Sequence, residues 1–250
     1  MIINIALREL RSLFLSPLAW VIMGGLQIIL AWKFLGFIEF FYSLQPDLIN
    51  IKNAPGVTDL IVAPLFDFSK ILLLMIAPLI TMRLLSEEKQ NGTLHLLFSS
   101  PISMTQIVLG KYLGALLFFT LLILQISLMP LSLIVATDLD MGKFAAGMLG
   151  QFLNVAAFTA LGLYMSSISK QAVTAAASTY GLLIMFWIIN IASTGDTGGN
   201  NFFNYISMTH HSLQMLRGIV YSSDLAYFVL FSLGFILLSI RQLDAQRLQH

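Results

Sequence analysis

The sequence contains no cysteine, which excludes disulfide frameworks, thiolate metal sites, cysteine nucleophiles and cysteine-held clusters together and leaves the redox compartment unreadable. Charge is almost as scarce. Asp, Glu, Lys and Arg make up 10% of the 250 residues, against about 25% in a soluble domain. The charges that remain balance, 13 basic against 12 acidic for a net +1, so no basic field exists to draw in nucleic acid by counterion release. Apolar residues fill the difference. They reach 58%, above the roughly 45–50% of soluble chains, and mean hydropathy is +0.86. This composition excludes a water-soluble globule and a disordered chain, and it points to a bilayer. At about 20 residues per crossing, six crossings and their loops use up the chain, leaving no room for a second, soluble domain.

The long uncharged runs are Tyr112–Ala136, Phe144–Ser169 and Gln171–Gly195, each able to span with some tilt. Residues 225–240 form a shorter uncharged run between Asp224 and Arg241, extended by flanking side chains that snorkel. Residues 18–32 are uncharged, and Lys33 and Glu39 then fall toward one end of a first span. Ile71–Met82 is the apolar centre of another. The expected fold is therefore an all-α integral membrane domain over 1–250 with six transmembrane helices at about 17–41, 67–85, 107–136, 144–169, 171–194 and 223–240. An even count puts both termini on one side. With the termini cytoplasmic, eight Lys and Arg (Arg8, Arg11, Arg83, Lys89, Lys111, Lys170, Arg241, Arg247) lie inside, against Lys33, Lys52, Lys70, Lys143 and Arg217 outside, so the positive-inside rule favours that orientation.

Residues 1–16 do not read as a cleaved signal, because the apolar run behind them is too long and no small-residue cleavage site closes it. Ile3, Leu7, Leu10 and Phe14 instead recur at helical spacing on one face, with Asn4, Arg8, Arg11 and Ser12 on the other. That is the pattern of an interfacial helix against membrane lipid, and Arg8, Glu9 and Arg11 are its charged residues. Pro17 marks a bend into the first span. Residues 43–64 and 194–204 read as loops from their Pro, Gly and Asn content.

The one polar island is Arg83–Lys111. Glu87, Glu88, Lys89, Gln90 and Asn91 form a concentrated polar run, Gly92 breaks the helix, and Leu94, Leu96, Leu97 and Phe98 return apolar. Ser100-Pro101 places a capping hydroxyl before a proline at a first helical position, and Ser103 to Gln106 has capping-box spacing. Two short helices meeting at a turn result. Physics alone leaves two readings open: a solvated hairpin joining two spans, or a surface that docks on something.

The order of residues adds to this. The string SEEKQNGTLHLLFSSPISMTQIVLGKYLGA resembles the signature of ABC-2-type transporter permeases. Thr81, Met82 and Arg83, the N-terminal Arg-Glu-Leu, and Ser16-Pro17 look most like the gliding-motility permease GldF group of that family. The resemblance is dense over 79–115 and weaker over the N-terminal helix. It implies a half-transporter with a coupling helix in segment 86–104 that docks on a separate ABC ATPase subunit. Glu87, Glu88, Gly92, Thr93, Leu94, Leu97 and Pro101 would form the coupling region, and Gly110 and Lys111 the start of the third span. Arg241, Leu243-Asp244 and Arg247 are similar to the family's basic tail.

The chain carries no phosphate-binding loop: neither Gly110-Lys111 nor Gly142-Lys143 is followed by Ser or Thr. ATP and Mg are therefore expected on the partner ATPase, with no cofactor and no metal in this chain and no catalytic residue of its own. The resemblance implies export, through a cavity shared with a second permease protomer, either identical or an unlike one of the GldG kind, in the cell's inner membrane. Gly110/Gly114, Ala146/Gly150 and Ala156/Ala160 follow small-xxx-small spacing, for use between protomers or within the chain.

An ion-coupled secondary transporter needs ionisable groups near the midplane; the middles of the last four spans hold none, Lys33 and Glu39 are placed to snorkel, and Asp67 and Lys70 look like a helix-start ion pair. A metal site could use His210, His211, Met208 and Met215 in an external loop, but adjacent histidines point about 100° apart on a helix, and methionine in so apolar a chain serves packing. His95 stands alone. No H-E-x-x-H or G-x-S-x-G motif occurs. Gln125, Gln151, Asn154 and Asn190 could line a path or bond between helices. A non-transporting scaffold is the third alternative.

Overall fold

The computed structural model describes residues 1–48, 55–92, 103–195 and 207–248, and among them every regular element is helical. Helix α1 (Ile2–Leu15) leads through Ser16 into α2 (Pro17–Leu48). A π-helical turn (Thr58–Val62) opens α3 (Ala63–Thr81), and after an interruption of the helix at Met82 the chain continues as α4 (Arg83–Gln90). Then come α5 (Met104–Ser132) with a 3-10 turn at Leu133–Val135, α6 (Met141–Ile168), α7 (Ala172–Gly195), the short α8 (Met208–Leu216) and α9 (Ser222–Leu248).

The helix starts follow from local chemistry. Pro17 disfavours helical geometry at the residue before it, and Ser16 is extended at φ −82°, ψ 133°, so α1 and α2 are separate helices. Ser103 accepts the Gln106 amide at 3.3 Å to open α5, the capping expected from sequence. Asp140 accepts the amides of Gly142 and Lys143 at 3.0 and 3.1 Å to open α6.

Five described helices are long and apolar enough to cross a membrane: Pro17–Asp47, Thr58–Gln90 taken through the interruption, Met104–Val135, Met141–Ile168 and Ser222–Arg247, while Ala172–Ile188 is apolar but shorter. The expected boundaries need correction. Residues 43–48 and 57–64 are helical rather than loop. Pro64 directly follows the π turn that opens the helix, where the ladder of backbone bonds is already irregular, and Pro46 falls in the last turn of α2. The tail after Arg241 continues α9. Asp67 and Lys70 do pair, at 2.7 Å, but inside α3 rather than at a helix start, because the π turn begins the helix at Thr58. His210, His211, Met208 and Met215 stand on α8, not in a loop.

Helix α6 is the centre. Its most apolar stretch is 78% buried, against 17% for α2, yet its mean hydropathy of 1.5 is the lowest of the five. A span surrounded by protein needs close packing more than greasiness, and glycine supplies it. A Cβ on Gly147 would lie 2.6 Å from the Phe66 ring, and one on Gly150 would lie 3.2 Å from Met215. Gly110 and Gly114 meet α1 in the same way, at 2.7 Å from Ile5 and 2.7 Å from Glu9. The small-residue pairs Gly110/Gly114 and Ala146/Gly150 thus serve packing within the chain. Gln151 bridges helices too, donating to the Phe66 carbonyl and, at 2.7 Å, to Ser69 Oγ. Gln125 donates to the Met23 carbonyl at 3.4 Å, whereas Asn154 bonds within its own helix, to Gly150 at 2.7 Å.

Candidate functional site

At one end of the bundle α1, α4 and the start of α5 converge on a charged corner. Its pivot is Lys111, whose side chain is only 7% exposed and whose ammonium lies 2.9 Å from Glu88 Oε1 and 3.3 Å from Glu9 Oε2. An ammonium taken out of water is costly unless countercharges surround it. Here they arrive from two other helices, so the ion triad ties α1 and α4 to α5. The glycine pair Gly110 and Gly114 makes the approach possible by seating Ile5, Ala6 and Glu9 directly on the α5 backbone.

The outer side of the corner is wetter. Arg83 and Glu87 pair along α4 at 3.3 Å with side chains 44% and 49% exposed, so consecutive glutamates do different things: Glu88 turns inward to Lys111 and Glu87 outward. Arg8, Glu9, Arg83, Glu87, Glu88 and Lys111 line one recess between the three helices. The recess can present charge of both signs to a polar partner.

Helix α6 holds α4 from behind. Ser166 Oγ accepts the amides of Leu85 and Ser86, each at 3.0 Å, and donates to the Met82 carbonyl at 3.0 Å. The Lys89 ammonium donates to the Ser167 carbonyl, a cation on the last turn of α6 where the helix dipole favours it, and Gln246 of α9 reaches the same oxygen at 3.4 Å. Gly162, one turn earlier, gives Thr81 room: a Cβ there would sit 2.1 Å from its hydroxyl oxygen. Gly92 closes α4 with φ +68°, and none of the described residues lies within 4 Å of its missing Cβ, so the backbone angle calls for glycine.

Of the residues singled out from sequence, Arg8, Glu9, Glu87, Glu88 and Lys111 come together in the recess, with Gly110 beneath α1. Arg11 lies on the outer side of α1, in a shallow groove with Leu7, Arg8, Leu10 and Phe14. Gly92 ends α4. Thr93, Leu94, Leu97 and Pro101 lie outside the described residues, as does His95. Sequence reasoning missed Gly162 and Ser166, although their i, i+4 spacing near the end of an apolar span was the available signal.

At the other end, Lys143 meets Asp59 at 2.7 Å, and the buried His211 lies 2.7 Å from Asp224 and stacks on Tyr227 at 4.4 Å between ring centres. Among the described residues no three His, Cys, Asp or Glu gather to hold a metal.

Long apolar helices packed around a small-residue span, with a charged corner at one end, define a multi-pass membrane protein. A family model described as ABC-2 family transporter protein matches residues 3–243. The chain belongs to the ABC-2 transporter family, whose members form the membrane component of a transporter and are not themselves catalytic. No curated protein matches it.

Proposed function

We propose that the chain is the permease half of an ABC exporter, coupled to ATP hydrolysis on a separate subunit that carries ATP and Mg. In this reading α7 completes six spans, both termini and the charged corner face the cytoplasm, and the protein resides in the inner membrane. The cavity is completed by a second protomer, identical or of the GldG kind, as the likeness to the GldF group suggests. The carrying observation is the ion triad Glu9–Lys111–Glu88, which locks α4 to α1 and α5 while leaving Glu87 and Arg83 facing outward. A push on α4 would then reach three helices at once, the kind of rigid-body change that shifts access between two states.

The test is affinity purification of the tagged chain in mild detergent, with mass spectrometry and an ATPase assay on the eluate. A stoichiometric phosphate-loop subunit is expected, and Glu87→Lys should release it while the permease stays monodisperse. A lone chain without ATPase activity, recovered from several detergents, would overturn the reading.

A second reading, an ion-coupled secondary transporter, draws on the buried pair His211–Asp224 and on the buried Lys70 with its half-exposed partner Asp67 at the other end. Its mark is ATP-independent, ion-driven uptake into liposomes. The corner favours the first.

A further inference from the structure

We propose that Ser166 sets the angle between α3 and α4, and is thereby a positioning residue for the coupling step; the inference rests on the docking role given to α4 above. In an uninterrupted α-helix the Ser86 amide would bond the Met82 carbonyl, four residues back. The Ser166 hydroxyl stands in that rung. It accepts from Ser86 N–H and donates to Met82 C=O, each at 3.0 Å, while accepting a second amide, Leu85, at 3.0 Å. A side chain inserted into the hydrogen-bond ladder is one of the few causes of a sharp helix bend.

One local competitor acts at the same carbonyl: the Ser86 hydroxyl also donates to Met82 C=O, a back-bond of the kind that bends helices. Comparing Ser166→Thr with Ser166→Val separates the two, because both leave Ser86 in place. Pro78 removes a donor one turn earlier, toward Leu74, and no glycine stands between Ala63 and Gln90. Thr81, beside the interruption, has its hydroxyl committed to the Ala77 carbonyl at 2.8 Å. Gly162 lets α6 come close enough for the insertion.

Burial makes the arrangement two-state. Thr81, Leu85, Ser86 and Ser166 are each 0% exposed, so water does not reach the amides if the hydroxyl leaves. They must either keep Ser166 or close the ladder onto Thr81 and Met82, since an unpaired buried N–H is the costly third option. Bent with the hydroxyl inserted and straight with it withdrawn are thus the two available geometries. Because the inserted group belongs to α6, the tilt of α4 is read by the central helix rather than dissipated at the end of α3.

The chain's lack of cysteine makes the test direct. Spin labels at Gln90→Cys and Gln171→Cys, both exposed positions, report the distance from α4 to the end of α6 in nanodiscs, with and without the copurified ATPase. Ser166→Thr and Ser166→Val have the same shape and differ in the hydroxyl. The Thr variant should keep the parent's single narrow distance distribution and its ATP-dependent shift. The Val variant should show a displaced, broadened distribution and lose that shift, although the ATPase still copurifies. Identical distributions for Thr and Val would overturn the proposal. Failure of any ATPase to copurify with the parent would instead overturn the docking reading, and the Thr–Val comparison on the chain alone would still decide the elbow.

Discussion

Lys111 shows how much a single charge can organise when it has nowhere else to go. Truncating it leaves Glu9 and Glu88 facing each other without their shared cation, so Lys111→Met should cost about 3 kcal/mol, at the lower end for breaking a buried pair. Further replacing both glutamates by Gln should recover much of that loss. Thermal unfolding of the detergent-solubilised chain measures both; equal melting temperatures for parent and Lys111→Met would mean the triad contributes nothing. Glu87 is the contrast. Its exposed pair with Arg83 is of a kind worth less than about 1 kcal/mol, so Glu87→Gln should melt with the parent and Glu87→Lys within a few degrees of it; a Glu87→Lys chain that melts there and has lost ATPase binding has not lost it through unfolding. The residue types of the corner were legible in sequence, but their meeting was not. Glu9, Glu88 and Lys111 come from three separate stretches, and no local pattern says which of two adjacent glutamates turns inward.

Helix α1 shows why periodicity reads a face correctly and still misjudges its surroundings. Ile3 and Leu7 are 69% and 54% exposed, as an interfacial helix requires, while Ala6 is 3% exposed and packs with Ile5 on Gly110 and Gly114. The stripe Ile3–Leu7–Leu10–Phe14 is therefore shared between two surroundings: Ile3 and Leu7 face outward, while Leu10 and Phe14 pack against the bundle, Phe14 edge-on to the buried Phe118 at 5.7 Å. Arg8 and Arg11 lie exposed beside it, where basic side chains attract anionic headgroups. Replacing both by Gln should lower retention of phosphatidylglycerol relative to phosphatidylcholine, read by native mass spectrometry of the purified chain; an unchanged ratio would place these arginines elsewhere than at the bilayer surface. The span ends were less legible than the spans. Prolines at 46 and 64 look like loop markers, yet Pro46 lies in the last turn of α2 and Pro64 just behind the π turn that opens α3, so the helices run through a local breaker signal that tertiary context overrides.

Taken whole, the molecule makes a topological prediction that separates six spans from five. With single cysteines in this cysteine-free background, Gln90→Cys and Gln171→Cys should react with an impermeant maleimide from one side of the membrane, and Val135→Cys and Ser222→Cys from the other. Ser222→Cys reacting on the side of Gln171→Cys would mean α7 does not cross. The class of fold was legible because hydropathy marks lipid-facing helices so strongly. Hydropathy does not say which span sits in the middle. The central helix is the least apolar of the five, a property that shapes its biogenesis as well as its packing. A translocation channel sorts segments into lipid one at a time by greasiness, and α6 offers the weakest claim at 1.5, directly after α5 with the strongest at 2.3. During synthesis α6 therefore depends on neighbours that have already been released into the bilayer, and the order in which the helices are made becomes part of how this chain reaches its fold.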